Sequence, residues 1–388
     1  MMQAVAQQTQ CREKHSDRAE EQARILTYVQ ARFPLCENPY DEIGKECGVS
    51  GDDAYRFIRR MRETGDIRRL GAVFNSRGMG YSSTLCALAV TNPADIDSVA
   101  SVVNSYIEVT HNYLRDGRYN VWFTVIASSQ ERLQLILSDI MRRTGYRDVL
   151  NLPATRLFKI CVAFDMTTGQ ADGGIAESTH NKRRNESADN RPYTGSNRSH
   201  AAIRQLPSMA QGSSDSFSEF DRALIRIMQG NISLGPHPFA DTAHELNQQG
   251  FSCTSETVIS KLRDWIDDGV ARRVVAIIQH RKMGFAYNAM SVWDIAESDV
   301  ENAGRLMADN SHVSHCYERP RTTSWPTNMY AMIHGKEAAT CEACAADIYH
   351  QLKVRGIETS QPHLLYSTRE LKKCSMKYFC ESEGPAIG

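Results

Sequence analysis

Apolar residues recur at helical spacing over Ala23–Ala31 (ARILTYVQA), again over Tyr40–Cys47, and again over Asp52–Thr64, where the pattern stops at Gly65. Residues three and four apart share one helix face, and a glycine just past the last periodic position closes a helix. Three short helices with tight turns predict a helix-turn-helix unit. After Gly65 strand and helix patterns alternate. Strands are expected at Gly71–Asn75 (GAVFN), Ser82–Val90, Glu108–Leu114, Val121–Ala127 and near Asp148–Leu152, with helices near Ile96–Ser105 and at Gln130–Arg143. The order β-α-β-β-α-β is that of a ferredoxin-like α+β sandwich.

Between Asp165 and Glu219 the chain is rich in Ser, Gly, Asn and charge and loses this periodicity, as a disordered linker does. Beyond it the helical pattern returns at Glu219–Gln229, Phe239–Gln248 and Ser255–Asp268, ending at Gly269. RRLGAVFNSRGMGY (Arg68–Tyr81) matches RRVVAIIQHRKMGF (Arg272–Phe285), with Gly80 and Gly284 offset by 204. HNYLR (His111–Arg115) matches HCYER (His315–Arg319) at the same offset, so two modules share length as well as words. The predicted fold class is therefore α+β, a tandem duplication of a helix-turn-helix domain followed by a ferredoxin-like βαββαβ domain. The predicted boundaries are a tail at 1–17, helix-turn-helix domains at 18–66 and 217–270, α+β domains at 67–164 and 271–380, a linker at 165–216 and a tail at 381–388.

Composition narrows the class. No run of about 18 apolar residues exists and the N-terminal stretch is polar, so a membrane span or export signal is not expected and a cytoplasmic location is. The 11 cysteines are scattered through a 388-residue chain that needs no disulfide staples. Cys341 and Cys344 have C-x-x-C spacing, but no second pair accompanies them, so no metal site is predicted. Lys plus Arg number 45 and Asp plus Glu 46, without the basic excess usual in a dedicated nucleic-acid binder.

Residues two apart on a strand point to one face. His-x-Tyr-x-Arg thus sets His111, Tyr113 and Arg115 on one side of a strand, and His315, Tyr317 and Arg319 on one side of its copy. A polar trio on an otherwise buriable face predicts that the two sheets pack on one another, making a pseudo-dimer within the chain; further homo-oligomerisation stays open. An aromatic cluster follows each trio: Arg118 to Phe123, including Trp122, and Trp325 to Tyr330, including Asn328. Flat rings beside arginines suit a flat polyanion. Arg77, Arg281 and His280 follow strands near Gly80 and Gly284, within reach of the same cleft.

RRLGAVFNSRGMGY and HNYLRDGRYNVWF in the first copy, with HRKMGF, HCYERPRTTSWPTNMYAMIHG and LLYSTRELKKCSMKYF in the second, resemble the sirohaem decarboxylases, proteins similar in architecture to the Lrp/AsnC regulators. The resemblance spans nearly everything outside the tails and linker. It implies removal of two acetate carboxyl groups from sirohaem to give 12,18-didecarboxysirohaem, on a route to haem d1 or haem b. Thr327 departs from it, standing where an aromatic usually precedes Asn328, and so does Asp116-Gly117, which replaces a pattern that commonly carries a histidine.

Loss of CO₂ from a pyrrole acetate leaves a carbanion-like methylene that needs delocalisation into the macrocycle and then a proton, with no organic cofactor required. Histidine titrates near neutrality and suits the acid; arginine holds carboxylates and stays charged. His315 is the first candidate acid and His111 the second. Arg115, Arg118 and Arg319 would anchor carboxylates, Tyr113 and Tyr317 would orient or relay protons, and Trp122 and Trp325 would wall the ring. Two rivals remain: an Lrp/AsnC-type transcription regulator, and a haem-binding sensor without turnover. Against the regulator, the predicted recognition helices begin Asp52-Asp53 and Ser255-Glu256, the latter followed by Asp264, Asp267 and Asp268, and acidic side chains repel phosphate.

Overall fold

A computed structural model describes residues 18–160, 216–278 and 287–380. His280, Arg281, both expected tails and the expected linker apart from Ser216 lie outside these residues. The chain opens with helix α1 over 18–31, followed by α2 (Pro39–Cys47) and α3 (Gly51–Glu63). Pro39 sits in the first turn of α2, where a missing N–H costs nothing, and Gly48 closes that helix in the left-handed region at φ 72°. Ser50 caps α3 by accepting from the Asp53 amide. The second copy repeats the trio as α6 (Glu219–Met228), α7 (Pro238–Gln248) and α8 (Ser255–Asp267), with a Ser218–Asp221 capping box on α6.

Strands β1 (Ile67–Phe74) and β7 (Ala271–Ile278) follow the two helix-turn-helix units and pair antiparallel with each other, as a separate two-stranded sheet. The expected strand at Gly71–Asn75 thus exists, but it joins its own counterpart instead of the sandwich. Both units share one core through this seam, including Ile43, Phe57, Ile58, Leu224, Phe239, Leu262 and Trp265. Gly71 leaves no room for a side chain against the carbonyls of Met228 and Gly230, which is why the seam carries a glycine there.

In the first α+β unit, β2 (Ser82–Leu88), α4 (Ile96–Asn104), β3 (Val109–Arg115), β4 (Val121–Ala127), α5 (Gln130–Thr144) and β5 (Val149–Pro153) give the ferredoxin-like order β5-β2-β4-β3. Beyond it lies β6 (Arg156–Ile160). The second unit has β8 (Tyr287–Trp293), α9 (Val300–Asp309), β9 (Val313–Glu318), β10 (Met329–Gly335), α10 (Ala338–Val354) and β11 (His363–Lys373), in the order β11-β8-β10-β9. The two exchange their last strands. Strand β6 leaves its own module to pair with β9, while β11 pairs with β8 through 363–366 and then with β3 through 367–373. Nine strands thereby form one continuous ladder. Among the described residues no helix is long and apolar enough to cross a membrane.

Helices α4 and α5 cover the outer face of one half-sheet through Val99, Val103, Phe123 and Ile136, and α9 and α10 cover the other through Trp293, Leu306, Ile333 and Ile348. The inner faces meet in a common core in which Ala87, Trp122 and Leu152 join Met290, Val292, Tyr330 and Leu365. The sheet-on-sheet contact expected from the duplicated trio is present.

Candidate active site between the two sheets

Cross-strand partners lie on the same face of a ladder. Tyr113 sits opposite Trp122 and His111 opposite Thr124; Tyr317 sits opposite Tyr330 and His315 opposite Met332. Because Trp122 and Tyr330 belong to the inter-sheet core, both trios face the seam between the modules. The intervening residues point to the helices. Asn112 donates to Asn104 of α4 at 3.0 Å, and Cys316 packs in the core under α9 and α10.

Each trio is a stacked ladder. The His111 and Tyr113 rings lie 6.3 Å apart at 27°, and the His315 and Tyr317 rings 6.2 Å apart at 21°. The Arg115 guanidinium sits 5.4 Å over Tyr113, and that of Arg319 sits 4.9 Å over Tyr317 and 5.6 Å over Tyr330. Such cation–π contacts fix the arginines without neutralising them.

Both arginines reach across the module boundary. Arg115 Nη1 donates to the Leu365 carbonyl at 2.7 Å and Nη2 to Asn288 Oδ1 at 3.4 Å; Arg319 Nη1 donates to the Leu152 carbonyl at 2.5 Å, while its buried Nε has no partner among the described residues. These partners are neutral. Burial lowers the Arg115 pKa to about 10 and lowers that of Arg319 as well, and a guanidinium keeps its charge in proteins. A desolvated cation without a carboxylate is costly alone, and an anion in the seam would offset that cost.

His111 and His315 are half-buried on their strands. Burial is the main cause that pushes each pKa down to about 4; Lys373 and Arg68 add to it for His111, and His111, Arg272 and Lys159 for His315. Each imidazole is therefore neutral at pH 7 in the ligand-free seam. His111 is close enough to oppose the protonation of His315. On its other side His111 Nδ1 is hydrogen-bonded to Thr110 Oγ1 at 3.0 Å, and His315 Nδ1 to Ser314 Oγ at 2.8 Å.

The aromatic clusters meet in the same place. Trp122 is fully buried and donates to the Tyr119 carbonyl at 2.6 Å. Trp325, half-buried at the tip of the β9–β10 loop, donates to Tyr330 Oη at 2.9 Å and packs edge-on against Trp122 at 5.8 Å and Tyr119 at 5.6 Å. Tyr119 Oη is hydrogen-bonded to Asp148 at 2.8 Å and to Ser324 at 2.9 Å, so a loop of one module is held on the other.

Not every sequence-predicted residue is brought here. Asn328 accepts from the Ile295 amide at 2.9 Å and donates to its carbonyl at 3.0 Å, just as Asn120 clasps Val90 at 3.0 and 2.9 Å. This repeated asparagine clamps a strand end. Arg118 is mostly exposed, paired with Asp148 at 2.7 Å at the rim. Arg77 donates to the Ala154 carbonyl, near Tyr317. Cys341 and Cys344 are buried core thiols of α10, and no group of three or more metal-binding side chains exists among the described residues. Arg68, Arg272, Lys159, Ser314 and His334 were not singled out in the sequence; for Arg68 and Arg272 the doubled arginine opening each copy of the repeated motif was the available signal.

Fold and seam together define a fused pair of helix-turn-helix and AsnC-like modules. A family model described as the AsnC-like ligand binding domain matches residues 78–159 and 282–372, and one described as the siroheme decarboxylase NirDL-like HTH domain matches 22–68. The chain is 31% identical over 359 residues to the siroheme decarboxylase of Hydrogenobacter thermophilus, covering 92% of this chain and 95% of the relative, and it belongs to the siroheme decarboxylase family. The crystal structure of the siroheme decarboxylase NirDL in co-complex with an iron-uroporphyrin III analogue superposes with a TM-score of 0.63 at 27% identity, over 93% of this chain and 95% of that one. A separate alpha subunit from Nitratidesulfovibrio vulgaris is 46% identical over 144 residues, 37% of this chain and 80% of its own length. The present chain is thus a fused pseudo-dimer of an enzyme family whose modules also occur as separate subunits.

Proposed function

We propose that this protein is a carboxy-lyase that removes two acetate carboxyl groups from sirohaem to give 12,18-didecarboxysirohaem, in the formation of haem d1 or haem b. One observation carries the reading: the buried Arg115 and the half-buried Arg319, whose hydrogen-bond partners are all neutral, share an inter-sheet seam with two neutral histidines and a wall of tryptophan and tyrosine. The ligand that completes such a seam is flat and polyanionic.

Arg115 and Arg319 take substrate carboxylates, gaining the opposite charge that their carbonyl partners do not supply. Trp122, Trp325 and Tyr330 hold the ring plane, and Tyr113 and Tyr317 orient the side chains. Carboxylates entering the seam also reverse the local electrostatics, because a nearby anion raises a histidine pKa that desolvation had lowered. Binding therefore charges His315, the proposed acid. CO₂ leaves, the electron pair of the broken C–C bond delocalises into the macrocycle, and His315 protonates the methylene carbon. The macrocycle is itself the electron sink, so the reading invokes no organic cofactor.

The test is anaerobic incubation of the full chain with sirohaem, followed by mass spectrometry of the pigment. Products lacking one and then two CO₂ are expected. Pigment that binds and returns unchanged would make the chain a haem-binding sensor instead.

A further inference from the structure

The two modules differ at one buried point that the decarboxylation reading does not use. Ser314 Oγ lies 2.8 Å from His315 Nδ1 and 2.8 Å from Nε2 of His334, with the Met332 carbonyl more distant at 3.4 Å. Ser314 is 1% exposed, and it sits where the β9–β10 ladder shifts register. That shift is what brings one hydroxyl within reach of rings on two strands. His334 is half-buried and keeps accessible surface. The first module stops short: His111 Nδ1 meets Thr110 Oγ1 at 3.0 Å, and the strand position corresponding to His334 is Ile126.

We infer that His334 and Ser314 form a proton relay that recharges His315 through its Nδ1, an inference that rests on His315 being the acid. A serine hydroxyl has one proton and can accept another hydrogen bond, so it passes charge between two imidazoles without becoming ionised. In the step, the His334 imidazolium gives its Nε2 proton to Ser314 Oγ as the Ser314 hydroxyl proton moves to His315 Nδ1. His334 is left neutral and His315 becomes the imidazolium; no electrons change hands. His315 Nε2, which has no hydrogen-bond partner among the described residues, is then the donor toward carbon. Its remaining N–H afterwards lies on Nδ1, so resetting the tautomer is a separate step before the second decarboxylation. His111, Arg272 and Lys159 all disfavour charge on His315, which makes a second imidazole two hydrogen bonds away a useful proton store.

His334 and Ser314 are positioning residues, and two measurements test them. In the substrate-free protein, ¹⁵N-imidazole spectra should show His315 and His334 in matched tautomers, both protonated at Nε2 or both at Nδ1, because one hydroxyl proton must serve one ring and accept from the other. In turnover with sirohaem, Ser314→Ala and His334→Gln should each lower kcat about tenfold with KM nearly unchanged, as part of a general acid's worth. Ser314→Thr should restore the rate, and imidazole in the buffer should rescue His334→Gln but not Ser314→Ala. Unmatched tautomers, or full kcat in both variants while His315→Ala is impaired, overturn the relay alone. Full activity of His315→Ala overturns the acid assignment instead, and the tautomer measurement still decides whether the hydrogen-bonded chain exists.

Discussion

The indole of Trp325, from the second module, meets that of Trp122, from the first, edge-on at 5.8 Å and 62°. The contact ties a loop to the inter-sheet core, because Trp325 also donates to Tyr330 and packs on Tyr119. Trp325→Ala should therefore act twice. It should lower stability by about 2–3 kcal/mol, below the range for a fully buried tryptophan because this one is half-buried, and it should weaken pigment binding. Trp325→Phe should recover most of both. Urea denaturation with a spectral titration of sirohaem measures the pair, and an unchanged midpoint would mean that the loop does not brace the modules.

The histidines predict how stability follows pH. Each has a folded pKa of about 4 against an ordinary 6.5. Between those values the unfolded chain binds protons that the folded chain refuses, and stability rises with pH wherever the unfolded state binds more. Their contribution is fully present above about pH 6.5 and is lost as pH falls toward 4. Denaturation midpoints measured across that window should decline, and the double substitution His111→Gln with His315→Gln should flatten the decline. Binding should show the opposite proton traffic. Substrate carboxylates raise the same pKa values, so calorimetry in buffers of different ionisation enthalpy should report net proton uptake at pH 7.

The duplication and the inward trios were legible because they depend on local regularities, a fixed offset and a period of two. The exchange of strands was not. What pairs β6 with β9, or the second half of β11 with β3, is a surface more than a hundred residues away, and periodicity cannot name a partner. The strand at Gly71–Asn75 was visible for the same reason that its sheet was not. Among the candidate site residues, nearness in sequence to Trp122 or Trp325 gives no direction, and Arg118 and Asn328 turn to Asp148 and Ile295. The match between Asn120 and Asn328 reflects a shared backbone clamp. His334 is hidden for the opposite reason: Ile126 stands at its place in the first copy, so a comparison of repeats passes over it.

The regulator alternative is tested at the helices that would meet DNA. In α3, Arg56 lies 3.7 Å from Asp52 and 3.4 Å from Asp53, Arg59 pairs with Glu63 at 2.8 Å, and Arg62 donates to the Ile67 and Arg68 carbonyls at 3.1 and 2.7 Å. In α8, Arg263 donates to the Leu35 carbonyl of the other helix-turn-helix unit at 2.6 Å and Lys261 pairs with Asp221 at 2.9 Å. Apart from the exposed Arg60, which lies over the Phe57 ring at 5.5 Å, these basic groups are engaged within the protein, and duplex binding is driven by cations that displace counterions. Footprinting at physiological salt should show no protected operator. Nanomolar protection of a defined sequence would restore the regulator.

The last prediction concerns unequal labour between trios of equal shape. Ring geometry alone does not separate them: ring spacings and stacking angles agree between the modules, and both histidines are equally depressed. The surroundings do. His315 lies in the module whose loop supplies Trp325 and whose strand supplies His334, whereas His111 ends its hydrogen-bonded chain at Thr110. If His315 is the principal acid, His315→Ala should lower turnover by roughly 10²–10⁴-fold while sirohaem still binds, since a general acid acts in the transition state. Arg319→Ala should differ in kind. Removing a desolvated carboxylate anchor should weaken binding by about 2–5 kcal/mol and misplace the acetate that must react. His111→Ala is the control, expected to keep most of the rate. Loss of decarboxylation in His111→Ala with normal turnover in His315→Ala would reverse the assignment and make the first module the catalytic one. Full activity in both would remove histidine from the chemistry and leave Tyr113 and Tyr317, the phenols stacked beside them, as the next proton donors to vary.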